Sequence, residues 1–285
     1  MKIPEPMKGE LIPVKDIEST LERLIKKHRF VYASVKEDGY RCRSWNSKPY
    51  SSTGKLIPNR YIQKRFAEAR LPDGLDGELI VDRFDFQLTQ SGVTTREGEP
   101  DFRFFVFDKY GPEPFRVRLN NYYTDCQRFH CTQFVECVYQ LSCFNVSQVL
   151  HYENRVLLNG HEGVMIRTPD GPYKEGKATL EEGYLLKLVR FHTAEARILG
   201  TYERCSSEGA EVPLNMLGGF YVRGLVNGVE TDFKIGNGKG WTIKWRQKVW
   251  REGRGSNLFG KEISYTYKIV GMAKKPRAPI AKGIL

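Results

Sequence analysis

Hydrophobic positions along the chain recur with two different periods. Short runs rich in β-branched and aromatic side chains predict strands at residues 11–15, 30–35, 78–81, 102–107, 163–167 and 184–189. Helical spacing of apolar residues predicts helices over residues 16–28 and 59–69, and the longer segment 120–158 is a further helical candidate. This part of the chain therefore predicts an α+β domain of antiparallel sheets with helices.

The pattern changes after Phe191, where short strands are separated by glycines. These strands are predicted at residues 196–203, 218–226, 230–238 and 262–272, with a single helix around residues 241–250. Such a pattern fits a small OB-fold β-barrel, and an SH3-like barrel gives a similar pattern. We therefore expect two domains, at residues 1–191 and 192–285.

Length and charge narrow the class of protein. With 285 residues the chain is long enough for two domains. The 45 Lys and Arg against 34 Asp and Glu give a net charge of +11, which suits a polyanionic partner such as nucleic acid. Because the sequence has neither a long apolar run nor a signal-peptide pattern, we expect a cytoplasmic protein that does not bind a membrane.

Cysteine spacing bears on both redox state and metal binding. The chain has Cys42, Cys126, Cys131, Cys137, Cys143 and Cys205. The middle four lack the paired C-x-x-C spacing of zinc knuckles, so we predict reduced thiols. A zinc site built from Cys126, Cys131, Cys137 and His130 is the alternative.

The strongest candidate for chemistry is Lys36, which ends an apolar strand and is followed by Asp38, Gly39 and Arg41. Alone, this pattern also fits a β-turn with a solvated lysine. Four further segments follow in order along the chain. They are residues 75–81 with Glu78, 105–108 with Phe107, 162–167 with Glu162, and 185–188 with Lys187.

Together these five segments resemble the motifs of the covalent nucleotidyltransferase superfamily, which includes DNA ligases, RNA ligases and mRNA capping enzymes. The resemblance is strongest to the compact ATP-dependent DNA ligases of bacteriophages, through residues 173–187. It implies a nucleotidyltransferase domain with an ATP-grasp-like ligase fold over residues 1–191, followed by an OB-fold domain. An RNA ligase, a capping-type enzyme and a non-catalytic nucleic-acid-binding relative stay open as alternatives.

The resemblance also implies a reaction and its site residues. The enzyme would seal nicks between 5′-phosphate and 3′-hydroxyl ends of duplex DNA, as a monomer, through AMP linked to a lysine. Lys36 would be the nucleophile and Lys187 the group that neutralises the α-phosphate. The nucleotide-binding residues would be Lys36, Arg41, Glu78, Phe107, Glu162 and Lys187. Glu78 and Glu162 would also hold Mg²⁺, with Mn²⁺ as the alternative.

Three places depart from the family pattern, and one of them is the terminal basic motif, which residues 274–277 match only loosely. Val189 stands where a second lysine follows Lys187, and Ser52 stands where the phage-type ligases have an arginine. Both changes remove positive charge from the expected nucleotide site. We expect slower self-adenylylation unless Arg190 or Lys177 compensates.

Overall fold

The structure is a computed structural model that describes residues 3–83, 85–129, 133–206, 212–238, 240–268 and 275–285. The chain divides into two compact units, Met1–Arg190 and Phe191–Leu285. This division falls one residue before the boundary that the sequence pattern suggests. Among the described residues, no helix is long and apolar enough to cross a lipid bilayer.

The first unit contains helices and short strands in alternation. Its helices are α1 (Ile17–His28), α2 (Arg60–Ala69), α3 (Phe86–Thr94), α4 (Phe115–Phe129) and α5 (Val146–Leu158). Its strands are β1 (Met7–Lys8), β2 (Glu10–Leu11), β3 (Val31–Val35), β4 (Tyr40–Trp45), β5 (Lys48–Ser51), β6 (Leu75–Ile80), β7 (Arg103–Lys109), β8 (Val135–Cys137), β9 (Leu141–Cys143), β10 (Gly163–Arg167), β11 (Gly176–Lys177) and β12 (Leu186–Val189).

These strands form two five-stranded sheets and one two-stranded sheet. The five-stranded sheets have the orders β2-β12-β10-β3-β9 and β5-β4-β6-β7-β8, and β1 pairs with β11. Most pairs are antiparallel, but β1–β11, β2–β12 and β7–β8 are parallel. The predicted α+β class is confirmed, and these three pairs correct the expectation of purely antiparallel sheets. Between β7 and β8 the chain passes through helix α4, a crossover that permits parallel pairing.

Each large sheet buries one face against helices. Leu21 and Leu24 of α1 pack with Val149 of α5 and Val164 of β10 under the first sheet. A second, larger cluster joins helices α2 and α4 to β6 and β7. Burying each leucine side chain contributes about 1.5–3 kcal/mol, so the two sheets are fixed by these apolar faces.

The predicted helices at residues 16–28 and 59–69 are confirmed as α1 and α2. Asn59 caps α2, because its side chain accepts a hydrogen bond from the Ile62 N–H. A continuous helix over residues 120–158 is wrong. Helix α4 ends at Phe129, and β8 and β9 intervene before α5, since their residues pair with β7 and β3. The predicted strand at residues 11–15 is limited to β2, because the Ile12 N–H is the last donor to β12 and Val14–Asp16 form a 3-10 helix that leads into α1.

The second unit is a five-stranded closed barrel in the order β13-β14-β15-β17-β16. Its elements are β13 (His192–Cys205), β14 (Pro213–Val226), β15 (Val229–Gly236), α6 (Ile243–Arg251), β16 (Glu262–Lys268) and β17 (Arg277–Ile284). Phe220, Phe233 and Ile263 fill its core. Strand β17 lies outside the four predicted segments, because its alanine, glycine and proline residues have low strand propensity.

Candidate active site

A cavity of about 160 Å³ lies within the first unit, between strands of the two large sheets. Its lining is rich in charged side chains. It is lined by Lys8, Gly9, Ser34, Val35, Lys36, Glu37, Arg41, Glu78, Phe107, Met165, Arg167, Leu185 and Lys187. The lining thus includes every predicted site residue except Glu162, which contacts Lys36 directly.

Lys36 follows strand β3 and is held at both its backbone and its side chain. Its N–H donates to the carbonyl oxygen of Gly163, at 2.9 Å. Its Nζ atom donates to Oε2 of Glu162, also at 2.9 Å. The Glu162 side chain is only 3% exposed, whereas that of Lys36 is 19% exposed. The lysine amine is therefore fixed at the edge of the cavity by a buried carboxylate.

The turn after Lys36 depends on a glycine. A Cβ atom on Gly39 would lie 2.5 Å from the carbonyl oxygen of Leu79 and 2.7 Å from Cγ1 of Ile80. Only glycine allows β4 to approach β6 this closely at its first residues. The glycine in the segment 35–41 is therefore a packing requirement of the site as well as a turn residue.

Arg41 is held by a buried acid, Asp76, in a bidentate ion pair. Its Nε donates to Oδ1 of Asp76 at 2.6 Å and its Nη2 donates to Oδ2 at 2.5 Å. The hydroxyl of Tyr173 also donates to Oδ2 of Asp76, at 2.6 Å. Burial opposes the charge of Arg41, but Asp76 outweighs burial, so the pKa of Arg41 is raised above its ordinary value.

Glu78 lies directly opposite Arg41 in the β4–β6 pair. Its Oε2 atom is buried and has no hydrogen-bond partner within the structure. Burial raises the pKa of Glu78 to about 7, against the opposing effects of Arg41 and Lys36. The site therefore holds a carboxyl group that can exchange a proton near neutral pH.

Phe107 sits at a β-bulge between β6 and β7. Asp76 pairs with Asp108 whereas Gly77 pairs with Val106, so Phe107 is the additional residue on β7. Its ring packs against Phe105 and lies 4.5 Å from the Cζ atom of Arg41. An aromatic ring with a guanidinium on one side thus forms part of the cavity wall.

Lys187 reaches the cavity from the middle of β12, where it lies opposite Met165 of β10. Its side chain runs along the backbone of Gly9, because a Cβ atom there would come within 3.1 Å of the lysine Cγ. Two residues further on, Val189 faces the same side of the strand and is buried. A buried apolar side chain therefore occupies the position of the missing second lysine.

Arg190 and Lys177, the two candidates to replace the missing positive charge, form ion pairs outside the cavity. Arg190 makes a bidentate pair with the buried carboxylate of Glu153, at 2.7 Å and 2.8 Å. Lys177 is paired with Glu10. Neither lines the cavity among the described residues. Ser52 is exposed in the turn after β5, and it too is absent from the described lining.

Sequence reasoning missed a buried ionic network beside the cavity. Asp108 accepts hydrogen bonds from Nε of Arg118 at 2.9 Å and from Nη1 of Arg167 at 2.6 Å. Burial favours its neutral form, but the two arginines outweigh burial and hold the pKa of Asp108 below its ordinary value. Asp76 was also missed, although it lies two residues before Glu78 and thus on the same strand face.

The predicted reduced state of the cysteines stays a prediction. Cys42, Cys126, Cys137, Cys143 and Cys205 are free thiols. His130 and Cys131, two members of the alternative zinc site, lie outside the described residues. Within the described part of the chain, no group of three or more His, Cys, Asp or Glu side chains is arranged to hold a metal ion.

Comparison with known proteins gives a consistent result. The chain is 27% identical over 128 residues to the DNA ligase of African swine fever virus, and this match covers 42% of the chain but only 30% of that protein. The Chlorella virus DNA ligase-adenylate structure matches at 27% identity with a TM-score of 0.58, over 100% of this chain and 99% of that one. A Lig E DNA ligase structure, 22% identical, shares the fold over 100% of both chains with a TM-score of 0.73. No protein-family model matches the chain.

Over its whole length the chain has the fold of DNA ligase structures, and the cavity that contains Lys36 lies in its first unit. Within that class, the predicted resemblance to the compact ATP-dependent DNA ligases is confirmed.

Proposed function

We propose that this protein is an ATP-dependent DNA ligase that uses Lys36 as its nucleophile. The observation that carries the proposal is the position of the Lys36 amine, 2.9 Å from the buried Glu162 carboxylate and within a charged cavity. A solvated surface lysine, the other interpretation of the segment around Lys36, does not need a buried acid as partner. A nucleophilic lysine does, because the acid orients the amine and can hold its proton.

The reaction would consist of three phosphoryl transfers. Nζ of Lys36 attacks the α-phosphorus of ATP, a nitrogen–phosphorus bond forms, and pyrophosphate leaves. Glu162 holds the proton that the amine gives up. The 5′-phosphate at a nick then attacks the same phosphorus and frees Lys36. Finally the 3′-hydroxyl attacks the activated 5′-phosphate, the strand is sealed, and AMP leaves. Positioning and charge neutralisation supply most of the catalysis in such transfers.

The other cavity residues suit the parts of a nucleotide. The ring of Phe107 would stack on adenine, and Arg41 would contact the ribose or the phosphate end of the nick. Lys187 would neutralise the α-phosphate as charge develops. The bond between Arg41 and Asp76 fixes the guanidinium in place before any ligand arrives.

The carboxylates fit a divalent cation that enters with the nucleotide. Glu78 has a buried oxygen without a hydrogen-bond partner, and Mg²⁺ is usually held by one or two carboxylates together with substrate phosphates. Glu78 and Glu162 would be its protein ligands, with Mn²⁺ as the alternative. When bound, the metal would supply neutralisation of phosphate charge.

The finer assignments of domain and partner belong to the same proposal. Residues 1–191 would form the nucleotidyltransferase domain, and residues 192–285 an OB-fold, supported by the five-stranded barrel with helix α6 before its last two strands. The substrate would be nicked duplex DNA, consistent with the net charge of +11. The protein would act as a monomer in the cytoplasm.

A sealing assay tests the proposed activity. The protein is incubated with ATP, Mg²⁺ and a duplex that has a single nick with 5′-phosphate and 3′-hydroxyl ends. We expect the sealed, full-length strand to form when the strands on both sides of the nick are DNA. Sealing only when one nicked strand is RNA would favour an RNA ligase, and transfer from GTP alone would favour a capping-type enzyme. If no nucleotide is transferred from any donor, the remaining interpretation is a non-catalytic nucleic-acid-binding protein.

A further inference from the structure

We infer that Lys8 is an additional nucleotide-binding residue that contacts the triphosphate of ATP. This inference rests on the proposed function, and it concerns a residue outside the five motif segments. Lys8 belongs to β1 and lines the same cavity as Lys36 and Lys187. Its segment also reaches Lys187 through Gly9, whose backbone lies against that side chain.

Three of the other cavity cations have ion pairs that are far more buried than that of Lys8. Lys36, Arg41 and Arg167 are paired with Glu162, Asp76 and Asp108, whose side chains are 3%, 1% and 0% exposed. In contrast, Lys8 pairs with Glu5 at 2.5 Å, and both side chains are 52% exposed. An exposed pair between residues three apart contributes little free energy and is readily exchanged for another anion.

The positive charge of Lys8 can replace one that the family pattern places near the phosphates. The position two residues after Lys187, where the family pattern has a second lysine, carries the buried Val189. Arg190 and Lys177 are bound to Glu153 and Glu10. The Lys8 ammonium can therefore leave its partner and bind phosphate at a smaller cost than the charged groups of Lys36, Arg41 or Arg167.

The chain provides a matched control in Lys177. Lys8 and Lys177 are direct neighbours in the parallel β1–β11 pair, and the Lys177 side chain is 58% exposed. Replacing either lysine by methionine removes the same charge from the same pair of strands. Since both side chains are exposed, neither substitution disturbs the core. Only Lys8 lines the cavity.

Glu5 provides a second test with the opposite sign. The carboxylate of Glu5 competes with phosphate for the Lys8 ammonium. Glu5→Gln removes that competition and should tighten ATP binding, whereas Lys8→Met should weaken it. A purely structural role of the Glu5–Lys8 pair predicts that both changes act in the same direction.

The experiment measures equilibrium binding of ATP and AMP by calorimetry in the Lys36→Ala protein, which cannot react covalently. Adding Lys8→Met should raise the Kd for ATP about fivefold to tenfold, the loss of one charge-assisted hydrogen bond, and leave the Kd for AMP unchanged. Lys177→Met should change neither constant, and Glu5→Gln should lower the Kd for ATP about twofold.

Two results would overturn the inference. An unchanged Kd for ATP in the Lys8→Met protein shows that Lys8 does not contact the nucleotide. An equal rise of the Kd values for ATP and for AMP in the Lys8→Met protein shows that Lys8 contacts the nucleoside monophosphate part and not the β- and γ-phosphates. Both results come from binding measurements and do not depend on catalysis. A failure of the ligase proposal would appear in a different measurement, as the absence of labelling of the wild-type protein.

Discussion

The Nζ atom of Lys36 lies 2.9 Å from Oε2 of Glu162, although the two residues are 126 positions apart in the chain. The pair joins the end of β3 to the start of β10, and the Lys36 N–H bonded to the Gly163 carbonyl fixes the same contact through the backbone. An amine held in this way is presented to the cavity in one orientation. This geometry is the basis of the proposed covalent chemistry.

Replacing Glu162 tests whether the acid acts on the amine. Glu162→Gln keeps the shape of the side chain but removes the carboxylate, both as the group that can hold the proton of Lys36 and as a proposed Mg²⁺ ligand. We expect the rate of self-adenylylation to fall by about a hundredfold, the usual effect of losing a proton-transfer group. The measurement is single-turnover labelling with ATP, with the exposed Glu195→Gln as control. Equal rates in wild-type and Glu162→Gln proteins would show that Glu162 only packs beside the lysine.

Glu78 makes the stability of the first unit depend on pH. Burial raises the pKa of Glu78 from 4.5 to about 7 in the folded protein. The folded state therefore binds this proton more tightly than the unfolded state does. The resulting stabilisation is complete below pH 4.5 and is lost as the pH rises through 7.

Urea unfolding at pH 5 and pH 8 without divalent cations measures this dependence. Glu78 alone should lower the free energy of unfolding by about 2.5 kcal/mol between these pH values. Glu78→Gln should abolish that part of the difference, while the exposed Glu99→Gln should leave it as in wild type. If Glu78→Gln shows the wild-type pH dependence, the Glu78 carboxyl does not titrate in this range.

Asp76 should be essential for stability because two groups depend on it. Asp76→Asn leaves the Arg41 guanidinium without its buried counter-charge and weakens the hydrogen bond from Tyr173. Breaking a buried ion pair by removing one partner typically costs about 3–5 kcal/mol. Denaturant unfolding should show a loss of this size. Asp232→Asn, which breaks an exposed pair with Arg223, should have no measurable effect, and equal effects of both changes would contradict this account.

Phe107 tests how the cavity binds the base. Phe107→Leu keeps an apolar side chain but removes the aromatic face beside Arg41. We expect the Kd for ATP to rise about tenfold, in line with the usual contribution of stacking on a base. Phe107→Tyr should bind ATP as wild type does. Wild-type affinity in the leucine variant would place adenine elsewhere in the cavity.

The sequence predicts best the parts of the fold that depend on local patterns. Helix α1 follows from apolar residues at helical spacing, and α2 follows from spacing together with its Asn59 cap. The segment 120–158 contains similar apolar residues, but β8 and β9 form there because they complete the edges of two sheets. Edge pairing depends on distant residues, and no local pattern carries that information.

The same distinction applies to the site. Lys36, Arg41, Glu78, Phe107 and Lys187 were found through short motifs, and the structure brings them into one cavity. The roles of Asp76 and Asp108 were missed because they depend on partners 35 to 97 and 10 to 59 positions away. The bulge at Phe107 depends on the register of β6 against β7, which the sequence does not specify.

The most direct test of the account is covalent labelling with ATP that carries a radioactive α-phosphate. The wild-type protein and Lys36→Ala are incubated with the nucleotide and Mg²⁺, and nicked DNA is then added. If Lys36 is the nucleophile, the wild-type protein becomes labelled, Lys36→Ala does not, and the label leaves the wild-type protein as the nick is sealed. Labelling of Lys36→Ala to the wild-type level, or no labelling of the folded wild-type protein, would contradict this role of Lys36.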